Sequence, residues 1–338
     1  MDSKNMIMEG IDEIRSFLSY PREIVVFSHR NPDGDAIGSS TALKLYLEKS
    51  GHTVRIIFPS EYPAVFSFVP KSDDIVIFDY EKSKAEKLIG NAEMMFFLDF
   101  SSLDRIDKLG ELVVDTTCKK VHIDHHLEPE PFADYVLSDP SASSTSELMF
   151  DFLTLLDGAK NMDTEIAEQI LLGIITDTGS FKFSTSVKTF NVAAELLKYN
   201  VNLNELQNKI YNSYTEKQVR LIGHALNNRL EIIPEYHAGI ITITKNDYKN
   251  FDIQRGDTEG LVNYILMIKN VKIAALILEQ PTIVKISLRS KGDISVQEIA
   301  RDNFKGGGHK NAAGGYAYGN VQAIVKKFKK ILPFYIKN

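Results

Sequence analysis

The chain has 338 residues, 43% of them hydrophobic and 25% charged, with 20 Gly and 11 Pro. This composition excludes a disordered or collagen-like polymer, and the length favours two domains that each bury a core. A net charge of −6 argues against broad binding to long duplex nucleic acid, no apolar run is long enough for a membrane span, and the single cysteine, Cys118, excludes an intramolecular disulfide. The opening MDSKNMIMEG lacks a basic segment followed by an apolar one, so no secretory leader and a cytoplasmic location are expected. The charge is uneven. From Glu231 onward there are 16 Lys/Arg against 10 Asp/Glu, a surplus of six positive, and before it 23 against 35, twelve negative. An acidic first part suits metal ions and a basic second part suits an anionic substrate.

In chain order, Glu23–Ser28 reads as a strand and Ser39–Lys49 as a helix, with Leu43, Tyr46 and Leu47 on one face and Gly51 as its stop. Strands are predicted at Thr53–Phe58, Ile75–Phe78, Met94–Leu98 and Lys120–Ile123, with a helix over Ser101–Leu109. Ser144-x-x-Glu147 spells a capping box opening a helix to about Leu156, and Asp163 or Thr164 caps another that runs toward Thr176. Strands alternating with helices predict a doubly wound, mainly parallel α/β sheet. Residues 188–230 read as a helical linker with a break at Asn200–Asn204. Beyond it come a strand at Gly239–Thr244, a helix at Thr258–Ile268, and strands at Val271–Glu279 and Thr282–Arg289. A helix at Ser295–Asn303, a glycine-rich loop and a last helix from Val321 follow. The Gln280-Pro281 turn is so short that its two strands must be antiparallel. The expected organisation is a first domain over 1–187, the linker over 188–230, and a smaller α/β domain with a mixed sheet over 231–338.

In an open parallel sheet, ligands sit beyond the carboxyl ends of the strands. The residues found there are His29, Asp33 and Asp35 after the first strand, Asp99 after Met94–Leu98, and Asp124-His125-His126 after Lys120–Ile123. Asp177 ends the helix that begins near Thr164. An Asp after a strand is ordinarily a turn residue. Four separate segments bringing carboxylate and imidazole groups to one rim are better explained by a metal site. Carboxylates and imidazoles without a thiolate suit Mn²⁺ before Mg²⁺, Co²⁺ or Zn²⁺. Six candidate ligands are too many for one ion and suit a pair, which clamps the attacking and leaving oxygens of a phosphoryl displacement and makes hydroxide available near neutral pH. In the second domain, KGGGHKNAAGG, Lys305–Gly315, offers backbone N–H groups of Gly307 and Gly308 and the His309 imidazole to an anion, and Arg289 in SLRSKG can fork onto a phosphate.

These motifs resemble those of the DHH phosphoesterases that carry a DHH-associated C-terminal domain. HRNPDGDAIGS, LDFSS, IDHH and GIITDTGSF match the family's four catalytic motifs in order, and SLRSKGDISVQEIARDNFKGGGHKNAAGG matches the C-terminal signature. Within the family the chain is similar to oligoribonucleases that also dephosphorylate 3′-phosphoadenosine 5′-phosphate (pAp), often labelled exopolyphosphatase-related. The resemblance implies that His29, Asp33 and Asp99 hold one Mn²⁺ and that Asp35, Asp99, His125 and Asp177 hold the other, with Asp99 bridging. His126 would face the scissile phosphate and Asp124 would orient the histidines. Arg289, Ser290, Gly307, Gly308 and His309 would bind the rest of the nucleotide. Lys305 departs from the pattern, where relatives often have another glycine.

The expected activity is Mn²⁺-dependent hydrolysis of short RNA oligonucleotides to mononucleotides, and of pAp to AMP, with no membrane partner. A cyclic or linear dinucleotide such as c-di-AMP or pApA is the alternative substrate, polyphosphate or pyrophosphate a weaker one, and a nucleotide-binding regulator with a decayed metal centre the alternative of another class. Both a monomer and a homodimer remain open.

Overall fold

The computed structural model of the chain describes residues 8–254 and 256–336. Residues 1–7, on which the leader reading rests, lie outside the described residues. The chain divides into two compact units between Ser213 and Tyr214. The stretch 188–230 is helical over most of its length, and the boundary falls inside it. No helix among the described residues is long and apolar enough to cross a membrane.

In the first unit, α1 (Ile11–Phe17), β1 (Glu23–Ser28), α2 (Gly34–Lys49), β2 (Thr53–Phe58), β3 (Val76–Ile77) and α3 (Phe78–Asn91) are followed by β4 (Met94–Leu98), α4 (Lys108–Val114), β5 (Lys119–Asp124), β6 (Tyr135–Ser138), α5 (Thr145–Asp157), α6 (Thr164–Asp177), α7 (Val187–Leu197) and α8 (Leu203–Tyr211). All six strands run parallel in the order β3-β2-β1-β4-β5-β6. The order reverses direction between β1 and β4. The strands are unbroken apolar runs because both faces are covered. Ile24, Val26, Met94, Phe96 and Leu98 pack toward α2, α5 and α6, while Val25, Phe27, Met95 and Phe97 pack toward α3 and α4.

Helix α2 starts five residues earlier than the predicted Ser39. Asp33 is its N-cap and accepts from the N–H groups of Asp35 (3.0 Å) and Ala36 (3.2 Å), so what reads as an Asp-Gly turn is a helix start. Nor is the helix amphipathic. Every residue from Gly34 to Leu47 is buried, since α2 lies between the sheet and α5 and α6. The buried Lys44 is accommodated by hydrogen bonds of 2.9 Å to the Val54 carbonyl and to Glu48. Helices α2 and α6 touch at Gly38, where an added Cβ would lie 2.5 Å from the Gln169 carbonyl oxygen and 2.8 Å from the Gly173 nitrogen. The helix predicted over Ser101–Leu109 is instead a 3₁₀ turn at Leu103–Ile106, followed by α4. Helices α1 and α3 and strand β6 are not among the expected elements.

The second unit contains α9 (Glu216–His224), β7 (Leu230–Ile233), β8 (Ala238–Ile243), α10 (Lys245–Asn250), α11 (Leu261–Leu266), β9 (Ile273–Glu279), β10 (Val284–Ser290), α12 (Val296–Asn303), β11 (Gly307–His309), β12 (Ala312–Ala317) and α13 (Val321–Tyr335). Its sheet runs β11-β12-β10-β9-β8-β7, antiparallel except for the parallel pair β8/β9, which is the expected mixed sheet. The buried Asp247 ties α9 to α10, accepting from His224 (2.8 Å), Arg229 (2.8 Å) and the Thr244 N–H (2.8 Å). The glycine-rich stretch, expected as a loop, is an edge hairpin of β11 and β12. A Cβ at Gly306 would collide with the Gly314 carbonyl, so these glycines serve close backbone approach.

Close packing of α2 on α6 carries a direct expectation. Gly38→Ala should destabilise the chain by about 1–3 kcal/mol in chemical denaturation, because the clashing neighbour is backbone and cannot turn aside. Gly90→Ala, where the new methyl meets nothing within 4 Å, should be neutral or stabilising by up to about 1 kcal/mol.

Candidate metal centre

The sheet's reversal point lies between β1 and β4, and in doubly wound sheets the crevice for ligands opens there at the strands' carboxyl ends. His29 follows β1 and Asp99 follows β4. His29 is buried, and its Nδ1 lies 3.0 Å from the Arg30 carbonyl. That bond makes Nδ1 the protonated nitrogen and leaves Nε2 basic. Nε2 lies 3.5 Å from Asp99 Oδ2 and 3.9 Å from Asp33 Oδ1. Asp99 has φ +67°, a left-handed conformation that a non-glycine residue adopts at some cost, and such strain concentrates at functional sites. Its N–H is held by the Ile123 carbonyl at 3.1 Å.

A second group forms on the other side of Asp99. His125 Nδ1 faces the Ala142 carbonyl at 3.3 Å. Its Nε2 then lies 3.6 Å from Asp99 Oδ1, 3.6 Å from Asp177 Oδ2 and 4.0 Å from Asp35 Oδ2. Asp35 is buried, and its two oxygens accept the first N–H groups of α5, from Thr145 at 2.7 Å and Ser146 at 2.9 Å. The Thr145 hydroxyl bonds Asp99 Oδ1 at 3.1 Å. The amino end of a 13-residue helix therefore points at this carboxylate pair and favours their charge.

Asp124 ends β5, fully buried, and its Oδ1 lies 2.7 Å from His126 Nδ1. Asp124 therefore fixes the His126 tautomer and turns Nε2 away from itself. Its other oxygen, Oδ2, has no hydrogen-bond partner among the described residues. His122, two residues earlier, is buried beside Phe132 and bonds the Phe100 carbonyl at 2.7 Å, a packing role.

The expected residues His29, Asp33, Asp35, Asp99, Asp124, His125, His126 and Asp177 thus gather in one place. Three sets within them have donor atoms close enough to hold an ion: His29/Asp33/Asp99, Asp35/His125/Asp177 and Asp99/Asp124/His126. Nitrogen–oxygen distances of 3.5–4.0 Å within the first two sets are too long for hydrogen bonds. They match two donors sharing one cation, since ligands at about 2.0–2.3 Å from an ion lie about 3–4 Å apart. The donor set therefore fits a pair of divalent cations.

Electrostatics point the same way. Burial, then Asp35, Asp33, Asp177 and Asp124, push the Asp99 carboxyl well above the ordinary carboxylate range. Burial likewise raises Asp35, against the pull of His125. For His125, burial is outweighed by Asp177, Asp35 and Asp124, and its pKa is raised. Without compensating positive charge, the folded chain resists ionising these acids.

In the second unit, Arg289 and His309 stand on one cross-strand row, each opposite Ala312. Ser290 does not join them. Its side chain is buried, and its hydroxyl donates to the Ile294 carbonyl (2.6 Å) and accepts from Asn311 (2.8 Å). Thr145, Ser146 and the Ala142 carbonyl belong to the site as well, without having been expected there. The Ser144–Glu147 motif marks a helix start there, but nothing local shows that it is aimed at an acid. Glu147 does not complete a capping box. Its Oε2 accepts from the N–H (3.2 Å) and hydroxyl (2.6 Å) of Ser143 and from Thr189 (2.8 Å).

An acid whose folded pKa is raised destabilises the fold when ionised, so its unfavourable contribution is absent below about pH 4 and sets in as pH rises through the folded value. Metal-free Asp99→Asn should therefore melt at or above the wild-type temperature at pH 7–8. That advantage should vanish at pH 4 in a calorimetric pH series.

Residues 23–174 match the DHH family, N-terminal domain, and residues 238–333 match the DHHA1 domain. The chain is 30% identical over 292 residues, 86% of its length and 83% of the relative's, to the bifunctional oligoribonuclease and PAP phosphatase NrnA of Thermus thermophilus. It is 28% identical over 299 residues, 87% of its length and 89% of the relative's, to the Bacillus subtilis protein of the same name. Among solved structures, an exopolyphosphatase-related protein from Bacteroides fragilis matches with a TM-score of 0.93 at 37% identity, covering 97% of both chains. With its acids and imidazoles at the reversal point of a parallel sheet and a mixed-sheet second unit, the chain belongs to the DHH phosphoesterase family, a DHH domain followed by a DHHA1 domain.

Proposed function

We propose that this phosphoesterase hydrolyses short oligoribonucleotides to mononucleotides and removes a phosphate from pAp, with two divalent cations, Mn²⁺ first among them. The observation that carries the reading is the division of Asp99 between two donor groups, Oδ2 toward His29 and Oδ1 toward His125. His29, Asp33 and Asp99 would hold one cation and Asp35, Asp99, His125 and Asp177 the other, with Asp99 bridging. Carboxylates and imidazoles without thiolate favour Mn²⁺ or Mg²⁺ over softer-site metals. When bound, such a pair supplies charge neutralisation, an acidified water and stabilisation of the phosphoryl transition state. The similarity to relatives named for both activities supports the choice of substrates.

The chain's own groups have distinct tasks. The α5 N–H groups fix both oxygens of Asp35, and Thr145 fixes one oxygen of Asp99, so the carboxylates are oriented before substrate arrives. Asp124 holds a proton on His126 Nδ1, so it is Nε2 that faces the phosphate, where a second proton on Nε2 can be donated to a phosphate oxygen or to the leaving oxygen. From the DHHA1 domain, the Arg289 fork, the His309 imidazole and the backbone of Gly307 and Gly308 would contact the remaining phosphate and sugar. Ser290, with its hydroxyl committed to Ile294 and Asn311, supports the base of this strand.

The test is a substrate panel of pAp, dinucleotides including c-di-AMP and pApA, and longer RNA, with Mn²⁺ titrated in. Turnover of pAp and short RNA should rise with Mn²⁺, and Asp35→Ala should lower it by more than about a hundredfold, beyond what loss of an outer partner costs. Asp124→Asn should lower it by about 10–100-fold without loss of fold, because the wrong His126 tautomer is then allowed. If none of these substrates turns over with Mn²⁺, the proposal is wrong; preference for the cyclic dinucleotide would reassign the substrate.

A further inference from the structure

One face of the C-terminal sheet is apolar over only part of its width. Over β8 and β9 it carries Ile241, Ile243, Ala274, Leu276 and Leu278, which pack under α9 and α11. The register continues that face onto β10 as Arg289, Ser287 and Lys285, onto β12 as Ala312, Gly314 and Tyr316, and onto β11 as His309 and Gly307. None of these joins a hydrophobic cluster among the described residues, and none is acidic. The opposite face of the same strands, with Val284, Ile286, Leu288 and Ala313, is packed under α12 and α13.

Two rows of this polar half, half-buried except for the exposed Lys285, differ in chemistry. The first, Arg289 and His309, suits a phosphate. Four residues along β10 and β12 lies a second row, where Lys285 stands opposite Tyr316. Tyr318 continues it, 64% exposed, its ring edge-on to Tyr316 with centroids 5.7 Å apart. The Lys305 ammonium reaches over both rings, 6.0 Å from the Tyr316 centroid and 5.0 Å from that of Tyr318. Between the rows the floor is Ser287, Gly314 and Gly307, and a Cβ at Gly307 would meet nothing within 4 Å. Successive residues on one strand face are about 6.6–6.8 Å apart, so the rows are separated by about 13 Å, long enough for more than one nucleotide.

We propose that Lys285, Lys305, Tyr316 and Tyr318 form a second nucleotide subsite, which stacks the base and binds the phosphate of the residue adjoining the one held by Arg289 and His309. The inference rests on the oligoribonuclease reading above. A positive groove floored by small residues, with aromatic rings beside it, is how single strands are bound without sequence preference. Lys305 has φ +43°, a left-handed conformation costly for any residue but glycine. The strain is retained at the one position that places an ammonium over both tyrosines.

That strain supplies a variant which tests function without harming the fold. Lys305→Gly removes the charge and relieves the backbone, so its melting temperature should not fall. With Mn²⁺ present and a labelled, hydrolysis-resistant 2′-O-methyl phosphorothioate pentaribonucleotide, anisotropy with the full chain should show Tyr318→Ala and Lys305→Gly each binding about tenfold more weakly. Lys305→Gly should also lower the salt dependence by about one counterion. Affinity for pAp, which has a single nucleoside, should stay within about twofold. Unchanged pentanucleotide affinity, or equal weakening for both ligands, overturns the subsite while leaving the functional reading standing. A wild-type chain that binds neither ligand overturns that reading, and the subsite with it.

Discussion

Four carboxylates, Asp33, Asp35, Asp99 and Asp177, are held around two buried imidazoles at the one point where the parallel sheet changes direction. Left to themselves these charges repel, and burial makes the repulsion stronger because little water screens it. Burial first, and then the neighbouring acids, raise the Asp99 carboxyl, and burial raises Asp35 against the pull of His125. The surrounding structure is arranged to hold the acids in place regardless. It caps α2 with Asp33, strains the backbone at Asp99, and places the amino end of α5 against Asp35. Such stored strain is economical only if a cation relieves it in the working enzyme, which is why the proposed metal pair explains the fold as well as the chemistry.

The approach of α2, α5 and α6 sets how close the carboxylates come. An added Cβ at Gly173 would sit 2.6 Å from Asp35 Oδ1, and one at Gly38 would meet the α6 backbone. Glycines at both positions let the helices come close enough for Asp35, near the start of α2, and Asp177, at the end of α6, to face the same imidazole. Glu147 then anchors the start of α5 to Ser143 and to Thr189 on α7, so the helix end aimed at Asp35 is itself braced from behind. Packing and electrostatics are coupled here: the helices must touch for the acids to meet.

The DHHA1 domain solves a different problem. A sheet buried on both faces offers no surface, and one bare on a whole face would lose its core. Here one face is apolar throughout, and the other is apolar over β8 and β9 and carries Arg289, His309, Lys285 and Tyr316 over β10, β11 and β12. The surplus of positive charge after Glu231 thereby becomes local, since three of its cations, Lys285, Arg289 and Lys305, border one floor of small residues.

The amino-acid sequence by itself determined the doubly wound N-terminal sheet, the mixed C-terminal sheet and the eight acids and imidazoles at the rim. Those features are local: apolar runs mark strands buried on both sides, and an acid just past a strand stands at a known edge whatever the rest of the chain does. Only the tertiary structure decided how the acids are held. The aim of α5 at Asp35 and the bond from Thr189 to Glu147 depend on partners far apart in the chain, whereas the Asp33 cap is a local contact that reads in the sequence as an ordinary Asp-Gly turn. It also decided that the glycine-rich segment is an edge strand and that Ser290 faces away from Arg289. Glycine reads alike in a loop and in a tightly packed ladder, and strand parity becomes visible only once the register is fixed.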